Sequence, residues 1–318
     1  MLQKLRHRPA LSNSTFSKHD LAPLAAMTVA LFALSLLDVG IKTASLDLQT
    51  WQIVVMRYGV GVVFAFIYFA YTATRTSLRS RLAHLCSWHL LSTSLMRALF
   101  VVLTASCFFF ALSLLPLARA VTIVFTAPLF MVLLSRLILG EPIAASALLA
   151  IAIGFCGVLV IFGDAFLEPL GGAMIPMASA LLASLFYALS IVLSRKHTAH
   201  TAPEEMVMLQ SGFAFLMALP FGLLPVPQTE WVAIDGRIWL LFMGIGFLGT
   251  SGHLMIVWAL KRETASRLGP IEYTALIWAT IFGFLIFGEI PEGRTLIGAA
   301  LVVVACLVAG RKKLPRPV

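Results

Sequence analysis

Charge is what this sequence has least of. Asp, Glu, Lys and Arg make up 12% of its 318 residues, about half the share with which a soluble domain solvates its surface. An ordinary soluble globule is thereby excluded, and most of the surface must face lipid. Cysteine is scarce as well: Cys86, Cys107, Cys156 and Cys306 lack metal-ligand spacing and read as small packing residues, neither disulfides nor ligands. There is no Walker A segment, no Asp-rich prenyl-diphosphate motif and no cluster of metal-ligating side chains, so ATP-driven pumping and metal chemistry lack their residues. No cofactor and no metal is expected. A cleaved leader is not expected either. The polar, basic first twenty residues run straight into a full-length apolar stretch without a small-residue cleavage site, so the first helix reads as a retained signal anchor.

What fills the chain is apolar: 60% of residues are hydrophobic and the mean hydropathy is +0.97. A helix needs about 20 apolar residues to cross about 30 Å of hydrocarbon. Ten such runs are read, at 22–42, 51–72, 90–115, 119–139, 143–163, 172–194, 206–226, 238–260, 267–287 and 293–310. The breaks between them are short and carry Gly, Pro or charge, and no loop is long enough to fold by itself. The expected fold class is therefore an all-α membrane protein of ten transmembrane helices.

Basic residues orient such a chain, because cytoplasmic loops collect Lys and Arg. With the N-terminus inside, the inner segments hold seventeen of the 23 and the outer loops only Lys42, Arg119, Arg237 and Arg294. Arg57 and Arg97 fall within spans. Both termini are expected in the cytoplasm, with the chain in the inner (plasma) membrane. The net charge of +9 then reports topology, not nucleic-acid binding, which would need a basic surface gathered on one face.

Two short breaks are nearly the same. "LILGEPI" begins at Leu137 and "LIFGEIP" at Leu285, and an offset of 148 also pairs Arg119 with Arg267 and Thr126 with Thr274. The first helices match at an offset of 150 through Met27/Met177, Ala30/Ala180, Leu31/Leu181 and Ala33/Ala183. The chain is thus read as a duplication: a tail at 1–20, one five-helix repeat at 21–163, a second at 172–310, and a basic tail at 311–318. An odd number of spans inverts the second repeat. Inverted repeats build a site at their interface that rocks between the two membrane faces. Gly-Glu is read as the turn between the fourth and fifth helices of each half. Glycine supplies the permissive backbone, and Glu141 and Glu289 cap a helix start or accept backbone N–H groups.

"ALSLLPLARAVTIVFTAPLFMVLLSRLILGEPI" and "ALKRETASRLGPIEYTALIWATIFGFLIFGEIP" resemble the second part of an EamA domain, the repeat unit of the drug/metabolite transporter superfamily. "IKTAS" at Ile41 and "MRYGVG" at Met56 are similar to the Lys and Arg positions of that unit's first two helices. The resemblance covers nearly the whole chain. It implies ten helices around a central pathway and the transport of small organic solutes, with export favoured over uptake. One departure is that Gln210 stands where a second Arg57 would be.

Ionisable residues at membrane depth are costly and mark function by default. Asp38 and Arg57 share a depth, and Lys42 lies one turn beyond Asp38, which predicts an outer charge cluster. Arg97 and Glu272 also share a depth, which predicts a second pair between the halves, a gate or a strut. Ser94, Arg97 and Thr104, then Thr122 and Thr126, then Tyr187, Ser190 and Ser194 form polar stripes on three helices, as bonds between helices or as the walls of a wet cavity. Trp258, Tyr273 and Trp278 are aromatic candidates for the same cavity or for the lipid interface. The candidate substrate or gating residues are therefore Asp38, Arg57, Arg97, Thr126, Tyr187, His253, Glu272 and Tyr273. Helices five and ten, almost free of polar side chains, are expected to be supports outside the pathway.

"GTSGH" at Gly249 resembles the nucleophile motif of rhomboid proteases, but Ser251 and His253 at i,i+2 on a helix point apart. Gly246, Gly249 and Gly252 are read as close-contact positions. The expected function is a secondary carrier for a small organic metabolite, polar or zwitterionic, with a coupling proton or counter-solute and the lipid bilayer as partners. An uptake carrier for a vitamin or nucleoside-like compound and a non-transporting membrane scaffold are the competing readings; no oligomeric state is predicted.

Overall fold

The computed structural model describes residues 18–73, 85, 87–140, 145–163, 172–195, 202–223, 235–262, 268 and 271–310. The first half supplies α1 (Lys18–Ala44), α2 (Thr50–Ala73), α3 (Trp88–Leu114), α4 (Leu117–Val124), α5 (Ala127–Leu139) and α6 (Ala145–Phe162). The second supplies α7 (Met174–Arg195), α8 (Pro203–Leu223), α9 (Gly236–Leu260), α10 (Thr274–Phe287) and α11 (Gly293–Gly310). Among the described residues, six segments are long and apolar enough to cross a membrane, α4 and α5 counting together; stretches within α6, α10 and α11 are shorter apolar helices. Large apolar side chains point outward along several of these helices, among them Phe66, Leu137, Leu240 and Leu285, the surface expected where the solvent is hydrocarbon.

The duplication read from the sequence is visible in the packing. The most extensive contacts run between the halves and come in matched sets: α1 on α9 with α7 on α3, α2 on α9 with α8 on α3, and α2 on α8 and α6 on α11 as self-matched pairs. A two-fold axis relating the halves produces this pattern. The close packing expected of α6 and α11 is present between them. A Cβ added to Gly157 would lie 2.9 Å from the Gly298 carbonyl oxygen, and one added to Gly298 would lie 2.8 Å from that of Gly157. Only glycine allows this backbone approach, the small-residue packing typical of membrane helices.

Equivalent local devices recur in both halves. Gly140 and Gly288 end α5 and α10 in the left-handed region, at φ 70° and 67°, where a side chain would be strained. The fourth helix of the first half is interrupted after the eight residues of α4, and the second half breaks at the matching place. In the first half the chain turns at Phe125–Thr126 and Thr126 Oγ1 donates to the Ile123 carbonyl at 2.7 Å; in the second it turns at Tyr273 and Thr274 Oγ1 donates to the Ile271 carbonyl at 2.7 Å. A hydroxyl that takes a carbonyl three residues back competes with the helical ladder and bends it. The two breaks meet: the Phe125 and Tyr273 rings lie 5.7 Å apart.

Candidate functional site

Between the halves lies a polar cavity. The first half lines it with Arg57, Tyr58 and Val101, and the second with Val207, Gln210 and Ser211 from α8 and Gly249, Thr250 and His253 from α9. At about 20 Å³ it has room for a water but not for an organic solute, so this conformation is closed around it.

Arg57 is 6% exposed and makes no hydrogen bond or ion pair with any described residue. Its guanidinium lies 5.1 Å from the Tyr58 ring centroid and is seated between two glycines. A Cβ on Gly249 would lie 2.3 Å from its Nη2, and one on Gly61 3.0 Å from its Nη1. Gly249 thus makes room for a cation, whereas Gly246 and Gly252 admit Val60 and Leu34, the close helix contacts expected from the sequence. Thr250 pins α9 to α2 by donating to the Gly61 carbonyl at 3.2 Å.

The depth-based pairings need correction. Asp38 is close enough to act on Arg57 electrostatically, but the two form no ion pair. Lys42 is not clustered with Asp38: it pairs with Glu289 Oε1 at 2.5 Å and donates to the Leu115 carbonyl. Its long stem brings the ammonium to these partners, 5.3 Å from the Phe287 ring centroid. Arg97 does not pair with Glu272 but donates to Gln210 Oε1 at 2.6 Å. Depth along a helix fixes height but not direction, and α3 packs on α8, which puts Gln210 in front of Arg97.

Two groups of the predicted residues emerge. Arg57, Arg97 and His253 stand together, since both arginines act electrostatically on the imidazole, with Asp38 at the edge. Thr126, Tyr187, Glu272 and Tyr273 form a second group around the broken fourth helices, where Thr126 and Ser184 hydroxyls bond at 2.9 Å and Glu272 acts on Tyr187. Thr104 and Thr122 donate to carbonyls four residues back on their own helices, and neither lines the polar cavity; Thr122 instead borders a mostly apolar recess beside α10 and α11. Trp258 stacks under the Arg262 guanidinium at 4.0 Å, and Trp278 packs against Phe32 and Phe282; neither lines the polar cavity. Ser251 donates to the Phe247 carbonyl, and His253 Nδ1 bonds the Gly249 carbonyl at 2.7 Å, so both side chains turn to their own helix and not to each other. Glu141, Arg267 and the side chain of Ser194 lie outside the described residues.

Sequence reasoning missed the ion pairs that join the halves at one end. Glu289 does accept a backbone N–H, as expected, but from the other half: Leu117 N–H at the start of α4 donates to its Oε2 at 2.7 Å. Beside it Arg119 pairs with Glu292. All four charged groups lie where α1 ends and α4 begins, and both ion pairs join one half to the other. The signal was present in the clustering of Lys42, Arg119, Glu289 and Glu292 at breaks assigned to one membrane face.

A duplicated helical frame, apolar outside and polar at its internal seam, defines a multi-pass membrane protein built around a central compartment. The chain belongs to the EamA-like transporter family, whose profile matches residues 21–163 and 174–311. Similar curated proteins are named as transporters. They include the pseudopaline exporter CntI of Pseudomonas aeruginosa, 27% identical over 289 residues, covering 90% of this chain and 94% of that one. The riboflavin transporter of Vibrio cholerae is 26% identical over 296 residues, 90% and 92%. The S-adenosylmethionine uptake transporter of Rickettsia felis is 29% identical over 130 residues, 40% and 41%. A solved crystal structure superposes with a TM-score of 0.62 at 18% identity, over 91% of this chain and 96% of the other, which speaks for the fold. The chain is a membrane transporter.

Proposed function

We propose that this protein is a ten-span secondary carrier of the inner membrane, both termini cytoplasmic, that exports a small polar or zwitterionic organic metabolite by alternating access between two inverted repeats. The observation that carries the reading is the small polar cavity on the seam between the halves, lined by a buried arginine without a hydrogen-bond or ion-pair partner among the described residues, together with ion pairs that join the halves. A strut needs no such cation, because a buried charge without a partner is strongly destabilising. A compartment that opens to each face in turn does need polar walls and breakable closures. Exporters and uptake transporters both occur among the relatives; the near-full-length match to an exporter supports the outward direction.

The test uses the full chain in proteoliposomes loaded with a mixture of amino acids, nucleosides and riboflavin, with and without an imposed proton gradient. Selective loss of one solute, stopped by oxidising a K42C/E289C pair in a background free of the four native cysteines, is the expected result. Retention of every solute by folded protein would return the chain to the scaffold reading.

A further inference from the structure

The polar cavity is a donor-rich site lacking its acceptor. Arg57 is permanently charged, and its planar fork matches a carboxylate through two parallel bonds. It has no hydrogen-bond or ion-pair partner among the described residues although it is buried and lines the cavity. Gln210 gives its oxygen to Arg97, which leaves its amide –NH2 without a partner there. His253 uses Nδ1 on the Gly249 carbonyl. A carbonyl accepts only, so Nδ1 carries the proton and Nε2 is left as an acceptor. Asp38 from α1 acts on Arg57 without bonding to it, and Arg57 and Arg97 from α3 both act on the neutral His253 ring from α9; one carboxyl, out of contact, stands against two guanidinium groups.

We infer that the transported solute carries a carboxylate that docks on the Arg57 fork between Gly61 and Gly249, with the Gln210 amide as second donor, and bears a neighbouring N–H or O–H that His253 Nε2 accepts. The two glycines set the guanidinium in place, so the acid meets a preorganised fork rather than a mobile chain. A carboxamide of the same shape would bring an –NH2 against donors and leave the cation uncompensated. The discrimination arises from unpaired polar groups, the kind of mismatch that rejects an analogue most strongly.

This inference rests on the carrier reading, and its test separates the two. Proteoliposomes are loaded with L-alanine, L-phenylalanine and L-lactate, each beside its own carboxamide, and the retained contents are followed by mass spectrometry. At least one acid is expected to leave about tenfold or more faster than its amide. That ratio should collapse toward unity in Arg57→Gln and recover in part in Arg57→Lys, both checked for an intact melting transition. Amides leaving as fast as acids, or acid efflux indifferent to Arg57→Gln, would overturn the carboxylate site and leave the carrier standing. No movement of any compound through folded wild-type protein would bring down both. Should Arg57→Gln not fold, the wild type decides: excess acetate must slow the efflux and acetamide must not, and equal effects of the two overturn the inference.

Discussion

The two halves meet the cavity in register but not in kind. Arg57 and Tyr58 on α2 correspond, at an offset of 153, to Gln210 and Ser211 on α8, and Val101 on α3 corresponds at 148 to Gly249 on α9; all six line the same cavity. The ends differ in the same way. Gly140 and Gly288 turn alike, yet Val192 stands where the repeat puts Lys42, and Ala144 where it puts Glu292. The duplication supplies the frame twice, and single substitutions then give one side a cation and one end a lock. Symmetry here builds the frame, while asymmetry places the cation and the ion pairs.

Restoring the symmetry should do the greatest harm. Gln210→Arg places a second guanidinium opposite Arg57 and deprives Arg97 of its acceptor; a loss of about 3–5 kcal/mol is expected, as for a buried charge without its partner, together with loss of transport. Thermal melting and efflux measured on one preparation check it. Next comes the support seam. Gly157→Leu forces α6 off α11 and should cost about 1–3 kcal/mol by overpacking, lowering the melting temperature while the acid-to-amide preference stays as in the wild type. A changed preference would mean that these helices are part of the pathway after all.

The locked end gives a finer comparison. Glu289→Gln weakens a half-buried ion pair and a charge-assisted bond to the start of α4, worth about 1–3 kcal/mol, and should speed amide hydrogen exchange at 115–120. Glu141→Gln, at the end where Val192 replaces the lysine, should shift stability by less. Equal effects would remove the asymmetry argument. Smallest of all is Glu292→Gln, because Glu292 has a side chain 53% exposed and exposed pairs contribute about 0–1 kcal/mol; a melting shift near the limit of measurement is expected.

Much of this was legible in the sequence, because the forces behind it are local or periodic. Apolar run length gave the helices, a fixed offset gave the repeat, and Gly140 and Gly288 gave the turns. The small residues of α6 and α11 gave their close approach. Partner choice was not legible. Arg97 and Glu272 share a height, but the azimuth around each helix decides contact, and that is a property of the packed bundle. Lys42 sits one turn from Asp38, yet its four-carbon stem reaches a glutamate 247 positions away. The role of Gly249 was hidden for another reason: a glycine in a membrane helix signals close approach, without telling whether backbone, aliphatic or guanidinium arrives.

The seat of Arg57 also bears on inheritance. The arginine belongs to one half and Gly249 to the other, so neither half alone encodes the pair, and Val101 shows what the first half keeps at the matching place. Any side chain at 249 would evict the guanidinium, and without the arginine the glycine has nothing to accommodate. The two positions can drift only together, and the fused gene cannot return to a symmetric dimer of either half without dismantling that seat.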